Sequence, residues 1–518
     1  MRHLIVCCDG TWNTPDQEDN GIPSPTNVVK LMNSLAETTS AGIEQLAYYH
    51  PGVGTKGGLD KIRGGAYGVG VSNQIKSAYQ WLGVNYQPGD VVYLFGFSRG
   101  AFIARSLGGF LGRGLLDLRG ESESDSWKRV EIAYAEGYRK HKKAEEDEKD
   151  WAKGWAIFHN GEAFPIRFLG VWDTVGALGV PDDLPILDLL DKPQNWKFHD
   201  TELGAHVATA RHAMAIDEMR ASFTVTPWTA IAAGTDARQI WFPGVHGDVG
   251  GSYSDHGLGD GALKWMMDEA RECGLEFRET AFQFIHPDPM AVIHDSYKGA
   301  FKHLRSRPRN VPALDSCNKN LFHESAFVRQ KNSPIAHPPY RRTNRLPIGK
   351  SSSWMEIFAD QKWNDTGLYL EKDGKYRFQS EGMWQDGADA CDWRGMQNES
   401  ITFGTVVRAI SSGVGMVENA YRHFHPEKVT DFLFTKRVEH LPWFAGIGAI
   451  ANDGDPKAAM PNDGTPPEHQ CFTMSDHGVE GVALEAKASG YLYCFANDVW
   501  GLYHNNHGSI RIKVTRLA

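Results

Sequence analysis

A short apolar run, Val91–Phe95, enters Gly96-Phe97-Ser98-Arg99-Gly100, and a run of helical period from Ala101 to Leu111 leaves it. A G-x-S-x-G pentapeptide between a strand and a helix is the setting of a nucleophile elbow, where a serine is held on a strained turn. The glycines suit a turn at which strand and helix backbones approach closely. The same residues also fit a plain βα turn that merely contains a serine. Under the first reading the chain must supply a parallel sheet, a base and an acid.

Strands alternate with helical stretches through the first half. His3–Cys8 reads as a fully buried strand, followed by the loop Asp9-Gly10-Thr11-Trp12-Asn13. Thr26 is placed to cap a helix over 26–35, Leu46–His50 is a second strand, and Val71–Tyr86 has helical period. Ile166–Trp172 and Gln239–Phe242 are further strands, Glu202–Asp217 is predicted helical, and Leu258–Glu272 is a closing helix. A charged stretch at 121–150 predicts a solvated helix. This alternation predicts an α/β fold with a mostly parallel sheet and flanking helices.

At 518 residues the chain exceeds one compact core, so two domains are expected. From about 350 onward, short alternating runs rich in Gly, Asp and Trp replace the helical periods. Ile510, Ile512 and Val514 alternate with Arg511, Lys513 and Thr515 as in a half-buried antiparallel strand. The expected division is a catalytic α/β domain at 1–345, with insertions near 118–160, 177–200 and 280–345, and a smaller β-rich domain at 346–518. A net charge of −10 supplies no basic field for nucleic acid. The seven cysteines include no C-x-x-C pair, which signals neither a zinc ribbon nor a disulfide framework. No signal-peptide pattern opens the sequence, and no run reaches the roughly 20 apolar residues that span a bilayer. The chain is expected to be made as a cytoplasmic protein.

A serine hydroxyl needs a base to take its proton and an acid to orient that base. Ser98, Asp173 and His246 each follow a strand, in the order Ser, Asp, His used by α/β-hydrolases. Asp173 fits equally a turn cap, and Asp248, two residues from His246, is the alternative acid. His256 and His212 are alternative bases, His212 on a helix with a structural role. The oxyanion of a tetrahedral intermediate needs backbone N–H donors, expected from Arg99 and from Gly10 or Thr11. Asp9 also reads as a metal carboxylate of a phosphatase-like D-G-T loop, which leaves the elbow unexplained. No metal is expected in the catalytic site and no cofactor is required for its chemistry.

Four motifs occur in order: Cys8-Asp9-Gly10-Thr11-Trp12-Asn13, Gly96–Ala101, Val171-Trp172-Asp173-Thr174-Val175-Gly176, and Phe242–Gly251. Ala210-Arg211-His212-Ala213, then Ile216-Asp217-Glu218 and Arg220, lie between the last two. Together they resemble the α/β-hydrolase family of the type VI secretion phospholipase effectors, first lipase-effector class. The resemblance covers about 1–340. It implies the triad Ser98, Asp173, His246 and hydrolysis of phospholipid acyl esters at a membrane surface. It also implies export by a contractile secretion system and an immunity protein as partner.

The closing segment, with Asn497-Asp498 and Asn505-Asn506 before the last strand, is similar to bacterial galactose-binding β-sandwich lectins. That similarity implies carbohydrate as a partner and calcium at Asn497, Asp498, Asn505 and Asn506, whose oxygens are hard ligands. A turn-rich hairpin without ligand is the alternative. An esterase for acylated carbohydrate, with Trp384 and Trp393 stacking sugars, is the second enzymatic reading. The third is a non-catalytic carbohydrate-binding protein.

Overall fold

The computed structural model describes residues 1–10, 13–52, 66–139, 149–152, 154–176, 202–298, 301, 305–332, 340–396, 437–438, 440–452, 468–475 and 482–518. Thr11 and the apolar stretch 177–200 lie outside them. The chain forms two compact units. The first is built chiefly from Met1–Ser296 with Asn320–Ser333. The second is built from Tyr297–Lys319, Pro334–Ala459 and Pro467–Ala518.

The first unit holds strands β1 (His3–Cys8), β2 (Gln45–His50), β3 (Val91–Phe97), β4 (Ile166–Trp172), β5 (Val207–Ala215) and β6 (Asp236–Phe242). They form one sheet in the order β6-β5-β4-β3-β1-β2, and every pairing is parallel. Its helices include α1 (Asn27–Ser34), α2 (Ala66–Asn85), α3 (Arg99–Leu111), α4 (His246–Gly250) and α5 (Gly257–Glu272). Side chains alternate across the sheet. Leu4, Val6, Val92 and Leu94 pack with residues of α2 and α3, while Ile5, Cys7, Tyr93 and Phe95 pack with residues of α1 and α5. Burial on both faces explains why these strands read as continuous apolar runs.

The strand order reverses between β1 and β3, because the chain leaves β1 toward β2 and then returns to build the other half of the sheet. Crevices at such switch points, at the carboxyl ends of the strands, are where open α/β sheets bind ligands. Gly10 and Ser98 stand at those two strand ends.

The predicted helix over Glu202–Asp217 instead contains the interior strand β5. Its sequence, VATARHAMA, is rich in alanine and carries helical propensity, but eight of its nine residues are buried. Pairing with β4 and β6 on both sides overrides local preference. The charged stretch after 121 is helical at Glu123–Ile132 and continues as a wider-wound turn over Ala133–Arg139. Thr26 caps α1 as expected, accepting a hydrogen bond from the Val29 amide.

The second unit is antiparallel. It contains β7 (Met355–Phe358), β8 (Asn364–Leu370), β9 (Lys375–Asp386), β10 (Asp389–Asp392), β11 (Gly446–Asn452), β12 (Gln470–Thr473), β13 (Leu484–Glu485), β14 (Gly490–Ala496) and β15 (Asn506–Arg516). One sheet runs β7-β15-β9-β10, with β13 also on β9, and the other runs β8-β14-β11-β12. Ile510, Ile512 and Val514 of β15 point into a shared core with Leu492 and Cys494 of β14. Trp384 lies in that core, 1% exposed and edge-on to Phe444, so its ring is not free to stack a sugar. Trp393 is half-buried, with the Arg394 guanidinium over its ring.

Candidate active site

Ser98 is the residue between β3 and α3, with φ 57° and ψ −121°. A non-glycine residue costs energy in that region, and the cost is sustained only where the surroundings fix it. Its amide donates to Trp172 O, which ties the elbow to β4. A methyl on Gly100 would come 2.1 Å from the Cys8 carbonyl oxygen, and one on Gly96 would come 2.3 Å from the Gly100 oxygen. Gly100 is therefore required for α3 to start this close to β1, and Gly96 for the turn from β3 into α3. Arg99 opens α3, where the first amides of a helix lack intrahelical acceptors.

Gly10 faces the serine across the switch point: a methyl there would stand 3.2 Å from Ser98 Cβ. Its loop is anchored by Asp9, which is 1% exposed. Asp9 accepts from the Gly10 amide, from Thr26 Oγ1 and from Tyr49 OH, each at 2.8 Å. Burial pushes its carboxyl up to about 6, against the pull of those three donors. All three belong to the protein, so Asp9 is committed to holding the loop.

Asp173 follows β4 with φ 41° and is wholly buried. Its Oδ1 accepts from the Ala215 amide at 2.8 Å, and its Oδ2 lies 2.5 Å from His246 Nδ1. With Nδ1–H directed at that carboxylate, Nε2 is left as the acceptor of His246. The imidazole lies between two rings, Phe97 at 4.6 Å and Phe223 at 5.1 Å. Burial lowers the His246 pKa below its ordinary value and Asp173 opposes that shift, which leaves a neutral imidazole suited to a base.

The alternative acid is engaged elsewhere. Asp248 Oδ1 lies 2.5 Å from His294 Nδ1, and its Oδ2 accepts from the Val245 and His294 amides. Neither alternative base takes the place of His246. His212 lies on β5 rather than on a helix. It is wholly buried, and its Nε2 accepts from the Thr174 amide, steadying the loop that carries Asp173. His256 is exposed beside Asp260.

Two residues beyond this set touch the histidine loop. Asp217 Oδ2 accepts from the Gly244 amide, and Glu218 Oε2 accepts from the His246 amide at 3.2 Å. Only the Asp217-Glu218-x-Arg220 spacing marked them in the sequence, and it assigned them no role.

In the second unit the four candidate ligands separate. Asn497 spends its amide on the 438–442 loop, with Nδ2 donating to the carbonyls of Val438, Leu441 and Pro442 and Oδ1 accepting from the Val438 amide. Its side-chain oxygen thus already serves the Val438 amide. Asp498 Oδ2, Asn505 Oδ1 and Asn506 Oδ1 are buried and lack a hydrogen-bond partner. Asp386 is a neighbour, accepting from Asn505 Nδ2 at 2.7 Å. Burial, reinforced by the Asp386 charge, pushes Asp498 up to about 7. Buried oxygens without donors fit a hard cation. Among the described residues, no three His, Cys, Asp or Glu side chains are grouped to hold a metal, so amide oxygens would have to complete such a site.

A curated relative from Saccharomyces cerevisiae, the uncharacterized protein YEL023C, is 30% identical over 249 residues, covering 43% of this chain and 32% of that protein. The chain thus spans about a third of the length of the curated relative it matches. An uncharacterized protein from Pseudomonas aeruginosa aligns at 18% identity and a TM-score of 0.34, over 55% of this chain and 49% of the other. The Tle1 effector, solved bound to the VgrG spike of the type 6 secretion system, aligns at 18% identity and a TM-score of 0.26, over 49% and 51%. Among the described residues no helix is long and apolar enough to cross a membrane. Residues 2–269, which carry the whole sheet, the elbow, Asp173 and His246, match the family described as T6SS, phospholipase effector Tle1-like, catalytic domain, and on that match this chain belongs to the family.

Proposed function

We propose that the first unit hydrolyses acyl esters of phospholipids through Ser98, His246 and Asp173. The observation that carries this reading is the 2.5 Å contact between His246 Nδ1 and Asp173 Oδ2, on an imidazole whose ring lies 4.6 Å from that of Phe97, the residue before Ser98. Ser98 Oγ attacks the ester carbonyl carbon while its proton passes to His246 Nε2. The oxyanion is received by the backbone amide of Arg99, since the expected Gly10 donor is already spent on Asp9 Oδ1. The tetrahedral intermediate collapses to an acyl-serine as His246 returns the proton to the leaving alcohol. Water, deprotonated by the same imidazole, then releases the fatty acid. Asp173 holds the ring and stabilises the imidazolium throughout.

Family membership supports the lipid substrate and delivery by a type VI machine; an immunity protein in the producing cell is a partner that this reading requires. The test is hydrolysis by the full chain and by Ser98→Ala of phospholipid vesicles, acylglycerols and acetylated polysaccharide, with fluorophosphonate labelling of both. Release of fatty acid from vesicles only by the chain that retains Ser98 supports the reading. Equal activity of Ser98→Ala, or no adduct on Ser98, overturns the mechanism. Activity confined to the polysaccharide moves the substrate to acylated carbohydrate.

The three unpartnered oxygens of Asp498, Asn505 and Asn506 favour a second role for the second unit, calcium-dependent binding of carbohydrate. Those residues would hold the ion, and calcium would supply a Lewis-acidic centre for sugar hydroxyls. Calorimetric titration of the chain with calcium chloride, repeated on Asp498→Ala, tests the ion site without any enzymatic readout.

A further inference from the structure

The Asp217-Glu218-x-Arg220 motif packs against His246 from a side that the proposed triad leaves unused. Glu218 is 1% exposed, yet its carboxylate is saturated. Oε1 accepts from Arg220 Nε at 2.9 Å, from the Arg220 amide at 2.8 Å and from Ser296 Oγ at 2.9 Å. Oε2 accepts from Arg220 Nη2 at 2.8 Å and from the His246 amide at 3.2 Å. Arg220 in turn lies 3.5 Å over the Phe223 ring, and Phe223 meets the His246 imidazole nearly edge-on at 5.1 Å and 71°. One ion pair therefore reaches the histidine twice, at its backbone and at its ring face. Asp217 completes the grip by exchanging both backbone-directed hydrogen bonds with Gly244, two residues upstream of His246.

We propose that Glu218 and Arg220 are positioning residues for His246, fixing its main chain and ring so that Nε2 meets Ser98. The proposal rests on the triad reading above. It assigns a task to a motif for which neither the fold nor the reaction has otherwise needed charged side chains. A buried ion pair adds little net stability over apolar residues of the same shape, so stability alone is a weak reason for one here. Holding a base in register is a stronger one, because misplacement of about 1 Å costs about a hundredfold in rate.

The charges give a readout that simple packing would not. The charged groups acting on the imidazole are Asp173 from the loop after β4, and Glu218 and Arg220 from the segment after β5. Asp248 on α4 itself is turned to His294. Glu218 raises the affinity of His246 for a proton and Arg220 lowers it. Neutralising one member of the pair must therefore move the histidine in one direction, and neutralising the other must move it back.

The experiment measures kcat, KM and the acid limb of kcat/KM on p-nitrophenyl butyrate for the full chain, Glu218→Gln, Arg220→Met and the double variant. Glu218→Gln is expected to lower kcat about tenfold with KM changed less than about twofold, and to shift the acid limb about 0.5 pH unit downward. Arg220→Met is expected to shift the limb upward, and the double variant, neutral at both positions, to restore it. Should Glu218→Gln fail to fold, Arg220→Met and the double variant carry the same test of sign. Limbs that stay in place, or move the same way in both single variants, overturn the proposal. Fluorophosphonate labelling of Ser98 and turnover by the unmodified chain test the hydrolase reading separately. An active, labelled parent with unmoved limbs removes only the role given to this pair.

Discussion

His294 Nδ1 lies 2.5 Å from Asp248 Oδ1, so the carboxylate closest to His246 in sequence serves a different histidine. The bond is backed by Tyr253, whose ring stacks on His294 at 3.9 Å. Asp173, 73 positions away in the chain, holds His246 instead. The two carboxylates therefore predict different phenotypes. Asp173→Asn is expected to lower kcat by about 10⁴-fold with little change in KM, the cost of the wrong imidazole tautomer. Asp248→Asn is expected to lower stability by about 2 kcal/mol, since His294 loses a charged, buried partner, while kcat falls less than about tenfold. Steady-state kinetics and urea unfolding of both variants separate the two outcomes.

These same histidines give stability opposite dependences on pH. Burial lowers the folded-state pKa of His246 below 6.5, so the unfolded chain takes up a proton that the folded chain refuses. Its contribution is complete above 6.5 and is lost as pH falls toward the folded value. Asp248 raises the pKa of His294 above 6.5, so that contribution is complete below 6.5 and is lost as pH rises through the folded value. Urea unfolding of the parent and of His294→Gln across about pH 5 to 8 should show the alkaline loss only in the parent.

The elbow was readable because its constraints are local. Strand β3 is buried on both faces and so is spelled Val-Val-Tyr-Leu-Phe, and Gly96 is dictated by the nearby Gly100 carbonyl, although Gly100 itself answers to the Cys8 carbonyl at the end of β1. Thr26 was readable for the same reason, as a cap acting on its own helix. Strand β5 was not, since Ala, Arg and His in sequence carry no period of two, and only the flanking strands impose it. The choice between Asp173 and Asp248 was equally hidden. It depends on the registers that bring the end of β4 beside the start of α4, which no local pattern encodes. The contact of Glu218 with the His246 amide joins two loops across strands and left only an unexplained spacing.

The close approach of α3 to β1 makes Gly100 a sharp test of the elbow geometry. A methyl placed 2.1 Å from the Cys8 carbonyl cannot be absorbed by a side-chain movement, because both partners are backbone. Gly100→Ala is expected to cost about 3 kcal/mol and to lower kcat even where the variant folds. Gly261→Ala, at a helical position where the added methyl meets nothing within 4 Å, is the control. It is expected to be neutral or to stabilise by about 0.5 kcal/mol. Thermal unfolding of the two variants measures the difference.

Asp9 carries a prediction about the loop that follows β1. Tyr49 OH is one of two side-chain donors to a carboxylate that burial already holds near 6. Removing it in Tyr49→Phe takes away a hydrogen bond to a charged acceptor, about 1.5–3 kcal/mol, and makes Asp9 easier to protonate. Because the folded carboxyl then lies further above its unfolded value of 3.8, the variant should lose more stability than the parent as pH rises through the folded value. Unfolding at low and neutral pH reads the difference directly.

Asn497 and Asp498 are adjacent, yet their environments separate a structural residue from a candidate ligand. Every polar atom of the Asn497 side chain is spent on Val438, Leu441 and Pro442. Asn497→Ala strands those buried carbonyls and should lower stability by about 2–4 kcal/mol with or without calcium. Asp498 has the reverse signature. Its carboxylate is buried beside Asp386 with Oδ2 unpartnered, so carrying a charge there is unfavourable until a cation supplies one of opposite sign. Asp498→Asn removes that charge and should leave the calcium-free chain as stable as the parent or more so. In the parent, calcium at a hundred times its Kd should add about 2.7 kcal/mol, and Asp498→Asn should lose that gain. Thermal unfolding of parent and variant in EDTA and in calcium measures all four values. A calcium-dependent gain that survives in Asp498→Asn would place the ion elsewhere.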